Sequence, residues 1–111
     1  MFLHVQTQIF HHKKQEAQQA LNENRLQQAV ELYTEALNIT QLLPHLYQEV
    51  PKVLSNRSLV FYRQKKFHQA LEDANLCVQL SPVWIKVTFK HVCYLCIIKS
   101  LQSEKRYIIW G

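Results

Sequence analysis

Residues 54–82 read LSNRSLVFYRQKKFHQALEDANLCVQLSP, and this stretch decides the fold of the chain. Its apolar residues recur at spacings of three and four on both sides of a polar break at residues 63–66, which indicates two amphipathic helices. Pro82 ends the second helix. We therefore expect two antiparallel helices joined by a tight turn, with apolar faces formed by Leu54, Leu59, Phe61, Tyr62, Phe67, Ala70, Leu71, Ala74, Cys77, Val78 and Leu80.

The same pattern occurs a second time upstream. Residues 25–31, RLQQAVE, align with residues 66–72, KFHQALE. The offset from Ala29 to Ala70 is 41 positions, seven more than the roughly 34-residue period of a helix-turn-helix repeat. The additional residues fall in the linker 41–50. The sequence therefore predicts a repeat protein.

Length and composition limit the class of protein. The 111 residues predict one domain, and a hydrophobic content of 48% supports a core. No apolar run approaches the length of a membrane span, and residues 1–10 lack the continuous apolar core of a signal peptide. Three cysteines, an odd number, fit a reducing compartment. We predict a cytoplasmic protein, with the nucleus as the alternative.

Glycine occurs once, as the final residue. Glycine usually supplies the positive φ that helix ends and tight turns require, and asparagine tolerates that conformation better than other residues do. We therefore expect Asn22, Asn24 and Asn38 to take these positions. A β-rich fold with many tight turns is therefore not expected.

The charge balance favours an acidic partner. The formal net charge is +5, and residues 75–103 contain Lys86, Lys90 and Lys99 but no acidic residue. The positive excess therefore lies in the C-terminal third of the chain, although net charge alone does not identify the kind of partner.

The repeat register divides the chain into six segments. The first segment could be helical or frayed. The fifth contains many β-branched residues, which favour a strand, but the repeat register favours a helix, and we predict a helix there. The segments are the lead-in 1–10, repeat one 11–43, an insertion 44–50, repeat two 51–82, the first helix of an incomplete third repeat 83–100, and an apolar tail 101–111.

Residues 14–39 and 53–90 resemble the tetratricopeptide repeat (TPR). The small and large positions that carry the resemblance are Leu26, Ala29, Tyr33 and Ala36, followed by Phe67, Ala70, Ala74, Cys77 and Pro82. Repeat one departs from the family where Ala17 replaces a frequent Gly and Ala20-Leu21 replace a large residue. The resemblance implies an all-α TPR helix-turn-helix solenoid of about two and a half repeats.

A second resemblance lies inside the first. TPR co-chaperones bind the Glu-Glu-Val-Asp tails of heat-shock chaperones through a carboxylate clamp, with Lys-x-x-x-Asn in the first helix, Asn-Arg in the third and Lys-x-x-x-Arg in the fifth. Here the corresponding residues are Lys14-x-x-x-Gln18, Asn56-Arg57 and Lys86-x-x-x-Lys90. The resemblance implies a peptide-binding site made of Lys14, Gln18, Asn56, Lys86 and Lys90.

The chemistry of these residues suits a carboxylate ligand. Lys14 and Gln18 are four positions apart and share a helix face, as do Lys86 and Lys90. Charge-assisted hydrogen bonds to a carboxylate contribute about 1.5–3 kcal/mol each. Gln18 is longer than the usual Asn, and Lys90 lacks the planar fork of Arg, so we expect a weakened clamp.

These patterns predict an adaptor that binds the acidic C-terminal peptide of a heat-shock chaperone. The alternative is a TPR scaffold that binds another protein through apolar groove contacts, with a clamp that does not function. No phosphate loop, nucleophile elbow or carboxylate pair is recognisable, so we predict no enzyme, cofactor or metal, and no binding to membranes.

Two other clusters invite functional interpretations. Cys93-x-x-Cys96 beside His91 has a spacing seen in zinc and redox sites, but it has no second ligand pair and fits core packing better. The basic turn formed by Arg63, Lys65 and Lys66 lacks the aromatic platform of a nucleic-acid site, so we interpret it as a solvated turn.

The repeat pattern fades after Lys90, and the chain finishes in the apolar run Tyr107-Ile108-Ile109-Trp110. Repeat arrays need about three units and a polar capping helix for stability. We therefore expect a truncated or alternatively ended form of a longer protein, which is marginally stable alone or self-associates through residues 92–110.

Overall fold

The computed structural model describes residues 2–80, apart from the side chain of residue 78. This part of the chain is helical and contains no strand, which confirms the predicted all-α class. Its elements are α1 (Phe2–Asn22), α2 (Leu26–Thr40), a 3-10 helix (Pro44–Glu49), α3 (Val50–Arg63) and α4 (Phe67–Leu80).

The four α-helices form two consecutive hairpins. α1 packs on α2 and α3 packs on α4, and the two hairpins meet where α2 packs on α3. Each helix is amphipathic and buries one face against its neighbours. The result is a small TPR-like all-α arrangement of the kind that the repeat pattern predicts.

The two hairpin turns have the same hydrogen-bond geometry. In the first, the Arg25 N–H donates to the Ala20 carbonyl (2.8 Å); in the second, the Lys66 N–H donates to the Phe61 carbonyl (2.8 Å). The residue before each donor has positive φ, 63° at Asn24 and 65° at Lys65. This is the Schellman arrangement of a helix C-terminus. Each of these residues has its counterpart 41 positions away, which is the predicted repeat offset.

Asparagine supplies only one of the two positive-φ positions. The expectation for Asn24 is confirmed, but those for Asn22 and Asn38 are wrong because both residues have helical backbone within α1 and α2. Lys65 takes the second position. The two backbone hydrogen bonds of its turn evidently offset the steric cost of a left-handed lysine, which is about 1–2 kcal/mol.

Small side chains let the helices approach closely. Alanines of both hairpins are buried in the core clusters beside larger apolar residues. A fully buried Leu, Val or Phe side chain contributes about 1.5–3 kcal/mol. The fully buried core residues are Phe10, Ala17, Ala20, Ala29, Tyr33, Ala36, Leu43, Val53, Val60, Ala70, Ala74 and Cys77.

The segment between the hairpins is packed. Pro44 begins its 3-10 helix and Pro51 lies in the first turn of α3, where the missing N–H of a proline leaves no helical hydrogen bond unmade. Leu43 and Leu46 are 0% and 4% exposed in the core. The residues predicted as an insertion therefore add a short helix with its own apolar anchors.

The N-terminal lead-in, left open by the sequence, is part of α1. This helix runs without interruption for 21 residues from Phe2, and Phe10 is completely buried. Phe2, Leu3 and Val5 remain exposed on its first turns.

Several predictions fall outside the described residues: those for Pro82, the helix 83–100, the tail 101–111, Lys86, Lys90 and the Cys93-x-x-Cys96 cluster. Among residues 2–80, no helix combines the length and the apolar character needed to cross a membrane.

Candidate peptide-binding site

Lys14 is held between a carboxylate and an aromatic ring. Its Nζ donates a hydrogen bond to Glu49 Oε1 at 2.8 Å and lies 5.6 Å from the centroid of the buried Phe10 ring. The side chains of Lys14 and Glu49 are 29% and 24% exposed. An ion pair at this depth is screened less than a surface pair, and the cation–π contact adds to its attraction.

The surroundings of Glu49 favour its ionised form. The hydrogen bond from Lys14 lowers the pKa of this carboxyl below its usual value, and partial burial opposes the shift. The positive charges of Lys14, Lys52 and His11 lower the pKa further, with Lys52 Nζ 3.9 Å from Glu49 Oε2. The contact with Lys14 is therefore a charged pair at neutral pH.

A buried hydroxyl joins the two predicted amides of the site. The Tyr33 side chain on α2 is fully buried, and its hydroxyl donates to Gln18 Oε1 at 3.4 Å. The Asn56 side chain hydrogen-bonds the same hydroxyl. Burial raises the pKa of Tyr33 to about 12, an effect that the Asn56 hydrogen bond partly offsets, so the phenol stays protonated at neutral pH. Helices α1, α2 and α3 are thus connected at one point.

Three predicted site residues therefore lie on α1 and α3, and Tyr33 of α2 joins two of them. Lys14 and Gln18 are one turn apart on α1, and Tyr33 links Gln18 to Asn56 on α3. Gln18 Nε2 also donates to Asn22 Oδ1 at 3.2 Å. The Gln18 side chain is one methylene longer than the Asn of the motif, and its amide oxygen accepts the hydrogen bond from the Tyr33 hydroxyl. The structure does not describe Lys86 and Lys90.

Arg57, the neighbour of Asn56 in the motif, is engaged within the fold. Its guanidinium donates to both carboxylate oxygens of Asp73 on α4 (2.7 and 2.8 Å) and to the Thr34 hydroxyl on α2 (2.9 Å). The Asp73 side chain is 5% exposed and that of Arg57 is 19% exposed. Arg57 therefore joins α2, α3 and α4, and its bidentate geometry specifies how they pack.

Sequence reasoning missed the partners of these residues. Glu49 lies 35 residues from Lys14, and Asp73 lies 16 residues from Arg57 in the next helix. The inward position of Asp73 could have been recognised from the sequence. Asp73 aligns with Leu32 of the first hairpin at the 41-residue offset, and an apolar position on the second helix faces the first helix. Tyr33 was noted only as a large position of the repeat.

A groove of about 350 Å³ opens between the two hairpins, and its lining does not include Lys14 or Glu49. It is bordered by the end of α2, the 3-10 helix, the start of α3 and the end of α4. Tyr47 and Leu76 on its rim are exposed. Its lining residues are Leu37, Asn38, Thr40, Gln41, Tyr47, Val50, Leu54, Arg57, Leu76 and Leu80.

No group of three or more His, Cys, Asp or Glu side chains within residues 2–80 is arranged to hold a metal ion.

No protein-family model matches the chain. The chain is 36% identical over 73 residues to Heat shock protein STI1 of Saccharomyces cerevisiae, a match that covers 66% of this chain and 11% of the yeast protein. It is 33% identical over 96 residues to DnaJ homolog subfamily C member 7 of Homo sapiens, a match that covers 86% of this chain and 19% of the human protein. The mouse protein of the same name is 32% identical over 96 residues. This chain therefore spans less than a fifth of the length of these curated relatives. The chain thus has a TPR-like helical-hairpin fold and is similar to one heat shock protein and to one DnaJ homolog.

Proposed function

We propose that the chain is a protein–protein interaction adaptor of the co-chaperone kind. It binds acidic C-terminal peptides of heat-shock chaperones through a partial carboxylate clamp formed by Lys14, Gln18, Asn56, Lys86 and Lys90. It acts as a binding module and not as an enzyme, in the cytoplasm or the nucleus.

The contact between Lys14 and Glu49 is the observation that carries this proposal. In it the Lys14 ammonium, one helical turn from Gln18, donates a hydrogen bond to a carboxylate at 2.8 Å in a partly desolvated position, which supports a carboxylate ligand here. A terminal carboxylate is chemically equivalent to the Glu49 side chain, so a peptide that brings one can make the same hydrogen bond. Gln18, one helical turn from Lys14 on α1, and Asn56 on α3 then supply amide groups to the ligand.

The relatives support the choice of partner. One of them carries the name heat shock protein and the other the name DnaJ homolog, and the two similarities cover 66% and 86% of this chain. Because this chain spans a small part of either relative, the identity of the chaperone and the activity of the whole protein belong to the proposal.

The test is a titration of the full chain with a labelled peptide that ends in Met-Glu-Glu-Val-Asp, at low and high salt. We expect saturable binding that weakens with salt and is abolished when the peptide is C-terminally amidated. Lys14→Ala and Lys86→Ala should each lower the affinity about tenfold, whereas Lys66→Ala in the exposed turn serves as the control for charge. A folded sample that does not bind the peptide would overturn the proposal.

The groove of about 350 Å³ favours a second candidate function, the binding of another protein through apolar contacts. Its rim exposes Leu76, which a folded hairpin alone does not require to be apolar. In that case, binding of the partner would be insensitive to salt, unchanged by Lys86→Ala and lowered by Leu76→Gln.

A further inference from the structure

We propose that Glu49 is an internal competitor for the carboxylate site at Lys14, and that it sets the affinity and selectivity of this site for acidic C-termini. The inference rests on the proposed function and concerns the same site.

The contacts at Lys14 leave little room for two carboxylates. Glu49 Oε1 receives a hydrogen bond from Nζ at 2.8 Å, and the ring of Phe10 covers another side of the ammonium. A lysine has three N–H donors on a single charge, so a second carboxylate would bind a cation whose charge is already neutralised. An incoming peptide must therefore displace Glu49 to gain the full interaction with Lys14.

The competitor is held in place by the segment between the hairpins. Glu49 ends the 3-10 helix, which is anchored in the core by Leu43 and Leu46. A group tethered at this distance competes at a high effective concentration, because it has already lost most of the freedom that a peptide loses on binding. Glu49 lies in the residues that lengthen the repeat offset from roughly 34 to 41.

A second cation, Lys52, can form an ion pair with Glu49 after a peptide displaces Glu49 from Lys14. Lys52 Nζ lies 3.9 Å from Glu49 Oε2, and its side chain is 52% exposed, which permits it to follow the carboxylate. Displacement therefore exchanges one ion-pair partner for another and leaves no isolated buried charge. Peptides with several carboxylates gain most from the exchange, because each further carboxylate adds contacts that Glu49 cannot supply. Peptides with the terminal carboxylate alone are disfavoured.

The test compares Glu49→Gln with wild type in the same peptide titration. Glutamine keeps the shape of the side chain but removes its charge, so we expect about tenfold tighter binding of the acidic peptide. The matched control is Glu35→Gln, which makes the same change in net charge at the Lys13–Glu35 ion pair (3.3 Å). Its affinity should stay within about twofold of wild type. Equal tightening in both variants would assign the effect to net charge and overturn the inference.

Lys14→Met supplies the second arm. If Glu49 acts through Lys14, the increase in peptide affinity caused by Glu49→Gln should disappear in the Lys14→Met background. A double-mutant cycle measures this coupling. Glu49→Asp, which keeps the charge but shortens the reach, should bind with an affinity between those of wild type and Glu49→Gln. Binding by wild type that neither Glu49 variant alters would overturn this inference and leave the proposed function standing. Failure of every folded variant to bind would overturn both.

Discussion

The two cations that the clamp motif contributes from the described helices, Lys14 and Arg57, end in different kinds of ion pair. Arg57 makes a bidentate contact with Asp73 and a third hydrogen bond to Thr34, in a place where the Asp73 side chain is 5% exposed. Lys14 makes one hydrogen bond to Glu49, whose side chain is 24% exposed.

The difference in geometry and burial distinguishes an ion pair that holds the helices together from one whose partners can exchange. The Arg57 pair joins three helices, and the loss of either partner leaves a charge that water reaches poorly. The Lys14 pair joins a helix to the segment between the hairpins, beside a second lysine that can take over the carboxylate. A motif of basic residues thus contains one cation that stabilises the fold and one that can exchange partners. Four experiments examine this comparison.

The largest expected effect is that of Asp73→Ala. This change leaves the Arg57 guanidinium without its bidentate partner in a mostly buried position, which should destabilise the fold by about 3 kcal/mol. Urea unfolding of the full chain measures the loss. Replacement of both residues, Arg57→Met with Asp73→Leu, should recover most of it, because no isolated charge remains. A loss below about 1 kcal/mol for Asp73→Ala would show that water already reaches the pair.

Tyr33→Phe should have the next largest effect, about 1 kcal/mol of lost stability. The change removes the hydroxyl that bonds both Gln18 and Asn56, without opening a cavity. Thermal unfolding gives the stability, and the peptide titration should show weaker binding because Asn56 is no longer positioned. Tyr47→Phe, at an exposed tyrosine, is the matched control and should change neither quantity. Equal effects of the two changes would contradict the role of the buried hydroxyl.

Lys14→Met should change stability by less than about 1 kcal/mol, as expected for a partly exposed pair. Peptide affinity should nevertheless fall about tenfold, because a charge-assisted hydrogen bond to the ligand is lost. Lys13→Met, which breaks the more exposed pair with Glu35, controls for net charge. A stability loss as large as that of Asp73→Ala would place Lys14 with Arg57 among the structural cations.

The smallest effect should be the pH dependence of the Glu49 pair. The folded protein lowers the pKa of Glu49 below the ordinary carboxyl value of 4.5, mainly through the hydrogen bond from Lys14. The pair therefore stabilises the fold above pH 4.5, and this contribution is lost as the pH falls through the lower folded pKa. Unfolding curves should show that wild type loses stability more steeply than Glu49→Gln in this acid range. Parallel pH profiles would contradict the charged pair.

Much of the hairpin fold could be predicted from the sequence because the signals are local. The apolar spacings of three and four and the 41-residue offset indicate the four helices, and the turn at Asn24 follows from the tolerance of asparagine for positive φ. The equivalent turn at Lys65 could not be predicted in this way, because tertiary packing of the second hairpin overrides the preference of the residue. The continuation of α1 to Phe2 could not be predicted for a related reason, since the burial of Phe10 depends on a core cluster that includes residues distant in sequence, such as Leu43 and Leu46.

The candidate site was less predictable than the fold. Lys14, Gln18 and Asn56 were selected by resemblance to a motif, and their assignment to a peptide site stays a prediction. Their partners within the chain depend on how the hairpins pack. Glu49 reaches Lys14 from a 3-10 helix whose Leu46 is buried in the core, and a sequence pattern contains no measure of that packing.

The 3-10 helix between the hairpins also has an evolutionary consequence. Its anchoring leucines and its contacting glutamate are different residues, so a substitution at Glu49 would alter the binding site without disturbing the core, and one at exposed Gln48 would alter neither. Selection could therefore adjust ligand affinity through a single codon in a short connecting segment, while the core residues of the helices stay unchanged.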